Sequence, residues 1–264
     1  MNDNAEPKVS IIIPHYKTES LVKLCLRSIR FFTQLPYEVV VIDNGSGDDP
    51  SLDYLRQVDW IKLIERTGNI NPAPDGAHKE AMDIGISESS APYILSFHTD
   101  TIPVHEKWLD WLLEQINTDP KASAVGTYKL EIKSPWQLLF RKIERALMIR
   151  RKPEAGTKDN PYYIRSHCAL YRRKILEKLN LHFVSNETAG RNIHFGLINS
   201  GFEAKLLSVE EMLRYVVHLN HGTMVLQPDL GARKKTIRKG KSRIDTFFKS
   251  VSIKNIYQDE SLDR

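Results

Sequence analysis

Lys8-Val9-Ser10-Ile11-Ile12-Ile13-Pro14 is a β-branched run closed by a proline, and it reads as a buried parallel strand. Beyond it Leu21, Leu24, Cys25, Ser28, Ile29 and Phe32 recur at steps of three and four, which predicts an amphipathic helix over about 19–33. Tyr37-Glu38-Val39-Val40-Val41-Ile42 is a second apolar run, and it stops at Asp43-Asn44-Gly45-Ser46-Gly47-Asp48, a cluster of turn formers. Strand, helix and strand in this order make a βαβ unit. The pattern then repeats with a helix around 52–58, a strand at 61–65, a Pro/Gly/Asn loop over 67–76, a helix at 78–87 and a strand at 93–97. Such alternation predicts an α/β fold with a Rossmann-like, mostly parallel, doubly wound sheet, whose ligands bind at the carboxyl ends of the strands. No G-x-G-x-x-G or Walker lysine loop follows any of these strands, so dinucleotide-binding and P-loop readings lose their main support.

At 264 residues, 41% hydrophobic and 27% charged, the chain has the composition of a soluble globular protein with one large α/β domain or two small ones. No run of about 18 uncharged apolar residues is present to span a bilayer. Residues 1–8 lack the basic-then-apolar plan of a secretory signal, and Cys25 and Cys168 are too few for a disulfide scaffold, so a cytoplasmic setting is expected. The net charge of +5 is unevenly spread: residues 233–254 hold nine Lys/Arg against Asp245, which leaves the remainder slightly acidic. A second basic stretch, 141–152, lies in a region where Ser134-Pro135 reads as a cap and first-turn proline. There Trp136, Leu139, Phe140, Ile143 and Leu147 form one apolar stripe among cations. That helix either packs on its own domain or lies on an anionic membrane surface. Nucleic acid is not the expected partner, because most of the chain is not basic.

At the end of the fourth strand, His98 and Asp100 stand two residues apart in Ser96-Phe97-His98-Thr99-Asp100, so both can point to one side of an extended chain. An imidazole and a carboxylate suit a divalent cation such as Mn²⁺, although the same pair also serves as turn and capping groups.

The ordered set Val9 to Tyr16, Val39 to Asp43 with Asn44-Gly45-Ser46, and Tyr93 to Asp100 resembles family 2 glycosyltransferases of the GT-A fold, of the type found in bacterial polysaccharide assembly. The resemblance is good over 8–115, weakens in the middle and returns at Gly201-Phe202 and His218. It implies a nucleotide site built from Pro14, His15, Tyr16, Asp43 and Asn44, with Tyr16 offering a stacking face and Asp43 accepting a base imino hydrogen. The other reading of Asp43 is a turn-capping aspartate. His78, near the start of its helix, is implied to approach the nucleotide sugar. His98-Thr99-Asp100 occupies the place of the family's D-x-D motif, which implies a metal site of Asp100, His98 and His218. With a neutral imidazole in place of one acid, Mn²⁺ is expected to be preferred over Mg²⁺, and strict metal dependence stays open.

The family's catalytic base is usually a Glu-Asp pair ahead of a Gly-aromatic turn, and counting back from Gly201-Phe202 places that pair on Ala189-Gly190. Glu187 is the nearest carboxylate and becomes the candidate base. Arg165, His167 and His221 are expected on the acceptor side. The expected organisation is a nucleotide-sugar-binding half, 1–105, an acceptor and catalytic half of the same GT-A domain, 106–225, and a basic C-terminal extension, 226–264. The activity implied is inverting transfer of a sugar from a nucleoside-diphosphate donor, UDP or dTDP rather than GDP, to a hydroxyl of a glycan or lipid-linked glycan. The enzyme would be cytoplasmic and peripheral at the inner membrane face. Two alternatives stand beside it: a non-catalytic nucleotide-sugar-binding relative, and a nucleotidyltransferase, for which the phosphate loop is missing.

Overall fold

The structure is a computed structural model that describes residues 6–130, 162–231 and 233–264. The helix read from Ser134-Pro135 onward and the basic stretch 141–152 lie outside the described residues. Strands β1 (Val9–His15), β2 (Tyr37–Asp43), β3 (Lys62–Glu65) and β4 (Tyr93–Phe97) fall where the apolar runs put them. Helices α1 (Glu19–Phe32), α2 (Pro50–Leu55), α3 (Pro74–Ser87) and α4 (Trp108–Asn117) alternate with them. Helix α3 starts a turn earlier than the expected 78, because Pro74 takes a first-turn position where its missing N–H costs nothing. The sequence predicts a strand over Ala124 to Ile132, and β6 (Ala122–Gly126) is shorter and begins two residues earlier.

Among the strands with no sequence signature are β5 (Thr101–Pro103) and β7 (Cys168–Arg172), which returns antiparallel between β4 and β6. The chain continues through α5 (Arg173–Lys178), α6 (Arg191–Asn199), β8 (Glu203–Leu206), α7 (Val209–Met212), β9 (Val216–His218) and α8 (Gly222–Leu226) to α9 (Lys234–Phe248) and α10 (Val251–Gln258). The main sheet has the order β3-β2-β1-β4-β7-β6-β8, and β5 pairs with β9 in a second, two-stranded sheet. Strand order reverses between β1 and β4, so a crevice opens at their carboxyl ends.

Side chains on β1 alternate between two cores. Ile11 and Ile13 join Leu24 of α1, Leu112 of α4, Ile244 of α9 and Ile253 of α10, whereas Ile12 joins Ala81 of α3, Leu176 of α5 and Ile193 of α6. The sheet is thus covered by helices on both faces.

The C-terminal residues differ from the expected extension. They form helices α9 and α10, whose Ile244, Ile253 and Ile256 are buried in the main core. The last turn is fixed by charge. Arg27 of α1, 4% exposed, donates from Nε to Asp263 Oδ1 at 2.9 Å and from Nη2 to Asp263 Oδ2, and its Nη1 donates to the Tyr257 carbonyl. Tyr54 donates to Asp263 Oδ1 at 2.8 Å, and Trp60 donates from Nε1 to the Leu262 carbonyl at 2.8 Å. Removing Asp263 leaves the Arg27 guanidinium buried without its anion. Asp263→Ala is expected to destabilise the protein by about 3 kcal/mol, measured by urea unfolding, against less than about 1 kcal/mol for the exposed pair removed by Glu65→Ala.

Candidate active site

The carboxyl ends of β1, β2 and β4 open into a cleft of about 880 Å³. By sheet order, the wall on the β1–β3 side carries Pro14, His15, Tyr16, Asn44 and Gly45, continued by Asn71, Pro72, Pro74 and Asp75; the floor, around the end of β4 and the start of β7, carries His78, His98, Asp100, Ser166, His167 and His218; the far wall, on the β6 side, carries Tyr128, Lys129, Leu130, Arg165, Thr188 and Ala189. His221 also lines it.

Asp100 lies at the centre, 5% exposed, and the fold closes around it. Its Oδ2 accepts from the Gly222 amide at 2.7 Å and its Oδ1 stands 3.1 Å from His218 Nε2. The pairing of β5 with β9 sets Thr101 opposite His218, which brings the two ligand-bearing segments side by side. Gly222 permits this approach, since a Cβ there would come within 2.7 Å of the Asp100 Cβ and 2.8 Å of Leu21 Cδ1. Burial works to raise the Asp100 pKa, but the charge and hydrogen bond of His218, together with His98 and the Gly222 amide, outweigh it and hold the carboxyl below the usual range. His218 moves the other way: burial opposes its charge, and Asp100 overcomes that and raises it. His98 and His167 are held well below the ordinary histidine range, mainly by burial and then by neighbouring histidines, and burial brings His78 down to about 4.

The donor set fits a divalent cation. One ligand atom each of His98, Asp100 and His218 lies within 4.8 Å of the others. His218 Nδ1 lies 3.1 Å from the Leu130 carbonyl and so carries a proton there, which leaves Nε2 facing Asp100, where a cation would replace the proton shared with the carboxylate. His98 Nε2 lies 3.2 Å from Ser166 Oγ, leaving Nδ1 facing Asp100 at 3.9 Å. Ser166 Oγ also meets His78 Nε2 at 3.1 Å, and His167 stacks on His218 with ring centroids 4.9 Å apart. Ser166 was not singled out by the sequence, because its two partners lie 68 and 88 residues away.

Two candidates, Asp43 and Glu187, lie outside the cleft lining, and His15 lines it with its ring turned inward. Asp43 is buried beneath the cleft, not in its lining: Oδ2 accepts from the Gly45 and Ser46 amides at 3.1 and 2.9 Å, and Oδ1 accepts from Ser46 Oγ at 2.5 Å. Ser46 Oγ in turn accepts from the Lys17 amide at 2.9 Å, so Asp43 shapes both loops of the nucleotide wall as a turn-capping group. His15 faces Ser51 Oγ through Nε2 at 2.9 Å, and burial brings its pKa down to about 4. Glu187 is absent from the described lining; its carboxylate pairs with Arg191 Nε at 3.0 Å, one helical turn on. At the place counted for the family's acid pair, Ala189 lines the cleft, and Gly190 has φ 83° with a site for a Cβ only 2.8 Å from the Ile164 carbonyl.

The family described as Glycosyl transferase family 2 matches residues 10–180, and the chain belongs to that family. Among curated relatives, a poly(ribitol-phosphate) beta-glucosyltransferase of Bacillus spizizenii is 34% identical over 110 residues, covering 39% of this chain and 16% of the relative. Glycosyltransferase AglE of Haloferax volcanii is 28% identical over 109 residues, covering 39% and 34%. The chain therefore spans well under half the length of these relatives. Among solved structures, a Pyrobaculum calidifontis mannosyltransferase in complex with GDP-Man and Mn²⁺ superposes with a TM-score of 0.56 at 20% identity, over 77% of this chain and 55% of the other. Residues 1–349 of S. aureus TarS superpose with a TM-score of 0.52 at 14% identity, over 94% and 73%. The fold is GT-A.

Because a Cβ at 222 would meet Asp100 Cβ at 2.7 Å and push the Gly222 amide off the carboxylate, Gly222→Ala is expected to lower Mn²⁺ affinity about 10–100-fold, measured by electron paramagnetic resonance of free Mn²⁺. Equal affinity in the variant would show that the Asp100 carboxylate does not depend on this contact.

Proposed function

We propose that the protein is an inverting glycosyltransferase that moves a sugar from a nucleoside-diphosphate donor to a hydroxyl of a glycan or lipid-linked glycan in cell-surface polysaccharide assembly. The observation that carries this reading is the convergence of His98, Asp100 and His218 between the two walls of one cleft. A divalent cation bound there would neutralise the leaving diphosphate. On the nucleotide wall, Tyr16 presents a ring to the base, while Asn44 is oriented by Arg66, which donates to its Oδ1 at 2.7 Å. His98 and His218 are held in orientation by Ser166 and the Leu130 carbonyl, so little reorganisation accompanies donor binding. His78, joined to His98 through Ser166, is placed for the donor sugar, and Arg165, His167 and His221 for the acceptor. We keep the division into a donor side, 1–105, and an acceptor side, 106–225, on this distribution. The relatives that act on poly(ribitol-phosphate) and that bind GDP-Man and Mn²⁺ support the substrate classes and the cation.

No helix among the described residues is long and apolar enough to cross a membrane. Lys234, Lys235, Arg238, Lys239 and Lys241 are exposed on α9, and we propose that this face meets the anionic inner leaflet, where each cation contributes about 1 kcal/mol.

The base is the open role. Glu187 is the candidate base from the sequence, but its carboxylate pairs with Arg191 outside the cleft lining, so we expect Glu187→Gln to leave turnover within about threefold, where loss of a general base costs about 10²-fold or more. The small residues Ala189-Gly190 favour a second reading, a nucleotide-sugar-binding relative without transfer.

Thermal shift with UDP, dTDP and GDP, each with and without Mn²⁺ or Mg²⁺, tests the proposal. A nucleotide at 100 times its Kd stabilises by about 2.7 kcal/mol, and Asp100→Ala is expected to remove the cation-dependent part. Mn²⁺ is expected to outperform Mg²⁺, since two of the three donors are imidazoles. Release of nucleoside diphosphate from a sugar donor separates the enzyme from the binding protein. Absence of stabilisation by every nucleotide would defeat both readings.

A further inference from the structure

The far wall of the cleft carries two cations that the structure leaves without an anion. Arg165 and Lys129 both line the cleft, and neither forms an ion pair with a carboxylate among the described residues. The Arg165 guanidinium lies beside two tyrosine rings that meet edge to face, 5.4 Å from the centroid of Tyr128 and 4.9 Å from that of Tyr163. Lys129 lies 5.7 Å from the same Tyr128 centroid. Two like charges on one ring repel, and a ring quadrupole satisfies neither of them fully. The Arg165 Nε is buried and has no hydrogen-bond partner, although a buried N–H is seldom left unpaired. Asp100, on the cleft floor, does not supply the missing acceptor: the contacts of its oxygens run to His218 and to the Gly222 amide.

We infer that Arg165 and Lys129 form a subsite for a phosphoryl group of the acceptor, so that the acceptor hydroxyl belongs to a phosphate-bearing glycan, polyol or lipid. This rests on the glycosyltransferase reading above and narrows its acceptor class. The guanidinium presents paired N–H donors in a plane that match two phosphoryl oxygens, and Lys129 adds a mobile point charge beside it. The contacts with Tyr128 and Tyr163 restrict the Arg165 side chain before the ligand arrives, which reduces the freedom lost on binding. A phosphoryl group could also come from the donor diphosphate, but Tyr16 and Asn44 follow β1 and β2, whereas Lys129 follows β6 and Arg165 precedes β7, on the other side of β4 in the sheet.

The test titrates the full chain, already saturated with UDP and Mg²⁺, with glycerol 3-phosphate and with glycerol by calorimetry. Glycerol 3-phosphate is expected to bind and glycerol is not. Lys129→Met and Arg165→Met are each expected to weaken glycerol 3-phosphate about tenfold or more while leaving UDP affinity within about twofold. Lys129 is half-buried at the cleft surface, so its variant reports even if Arg165→Met fails to fold, and Arg165→Lys, which keeps the charge and loses the fork, is expected to fall between. Unchanged glycerol 3-phosphate affinity in the variants, or none in the loaded wild type, overturns the inference. A parallel loss of UDP affinity also overturns it, assigning the cations to the donor diphosphate. Failure to bind UDP, dTDP or GDP before glycerol 3-phosphate is added defeats the glycosyltransferase reading instead, and the same titrations on unloaded protein then decide the phosphoryl subsite by itself.

Discussion

A carboxylate buried at the end of a strand has to be met by donors or lose its charge, and Asp100 organises the molecule through that requirement. Its oxygens are satisfied by residues more than a hundred positions later, Gly222 through its amide and His218 through its ring, and its own carbonyl accepts from the Leu219 amide at 2.7 Å. The short pairing of β5 with β9 makes those contacts simultaneous. The site is therefore a junction between the nucleotide-side sheet and the last third of the chain, and neither half builds it alone.

The junction is held from behind by the C-terminal helices. Arg243 of α9 donates to the Leu219 carbonyl from Nε at 2.9 Å and Nη2 at 2.6 Å, and to the Asn220 carbonyl from Nη2 at 2.7 Å. Asn220 and His221 have φ of 51° and 61°, a left-handed backbone that non-glycine residues adopt only where surrounding contacts enforce it. Helix α9 thus supports the loop carrying His221 and leading to Gly222, while Ile244 seals the same helix into the core. The cations of α9 face outward and Arg243 faces the loop, so a single helix links the proposed membrane face to the cleft.

Legibility in the sequence followed the range of the interaction. Strands β1, β2 and β4 and helix α1 are coded by local periodicity, and they appear within a residue or two of the expected positions. His98, Asp100 and His218 were identified through family resemblance, and the structure brings them together. Strands β5 and β7 escaped because three or five residues carry no period, and each exists only through a distant partner. Asp43 was given a ligand role on its strand-end position, yet a strand-end aspartate followed by Asn-Gly-Ser has amide donors within reach of its own side chain, and they take its oxygens first. The clasp of Asp263 on Arg27 spans 236 residues and has no local signature, so a basic tail was expected where two core helices stand.

Electrostatics ties these points to the chemistry. The floor of the cleft has one central carboxylate, Asp100, among four histidines, three of which burial keeps neutral. Without a cation, Asp100 is balanced by His218, whose raised pKa favours the imidazolium. A metal and a proton therefore compete for His218 Nε2, since that nitrogen cannot both carry a proton and coordinate. Replacing an acid by His98 removes one negative charge from the floor, so a bound divalent cation would retain more positive charge there than in an acid pair. A donor diphosphate would meet that charge directly, and the far-wall cations Arg165 and Lys129 remain available for a second anion. The distribution of charge along the cleft thus separates two anion-binding regions, with Asp100 and its histidines at the boundary.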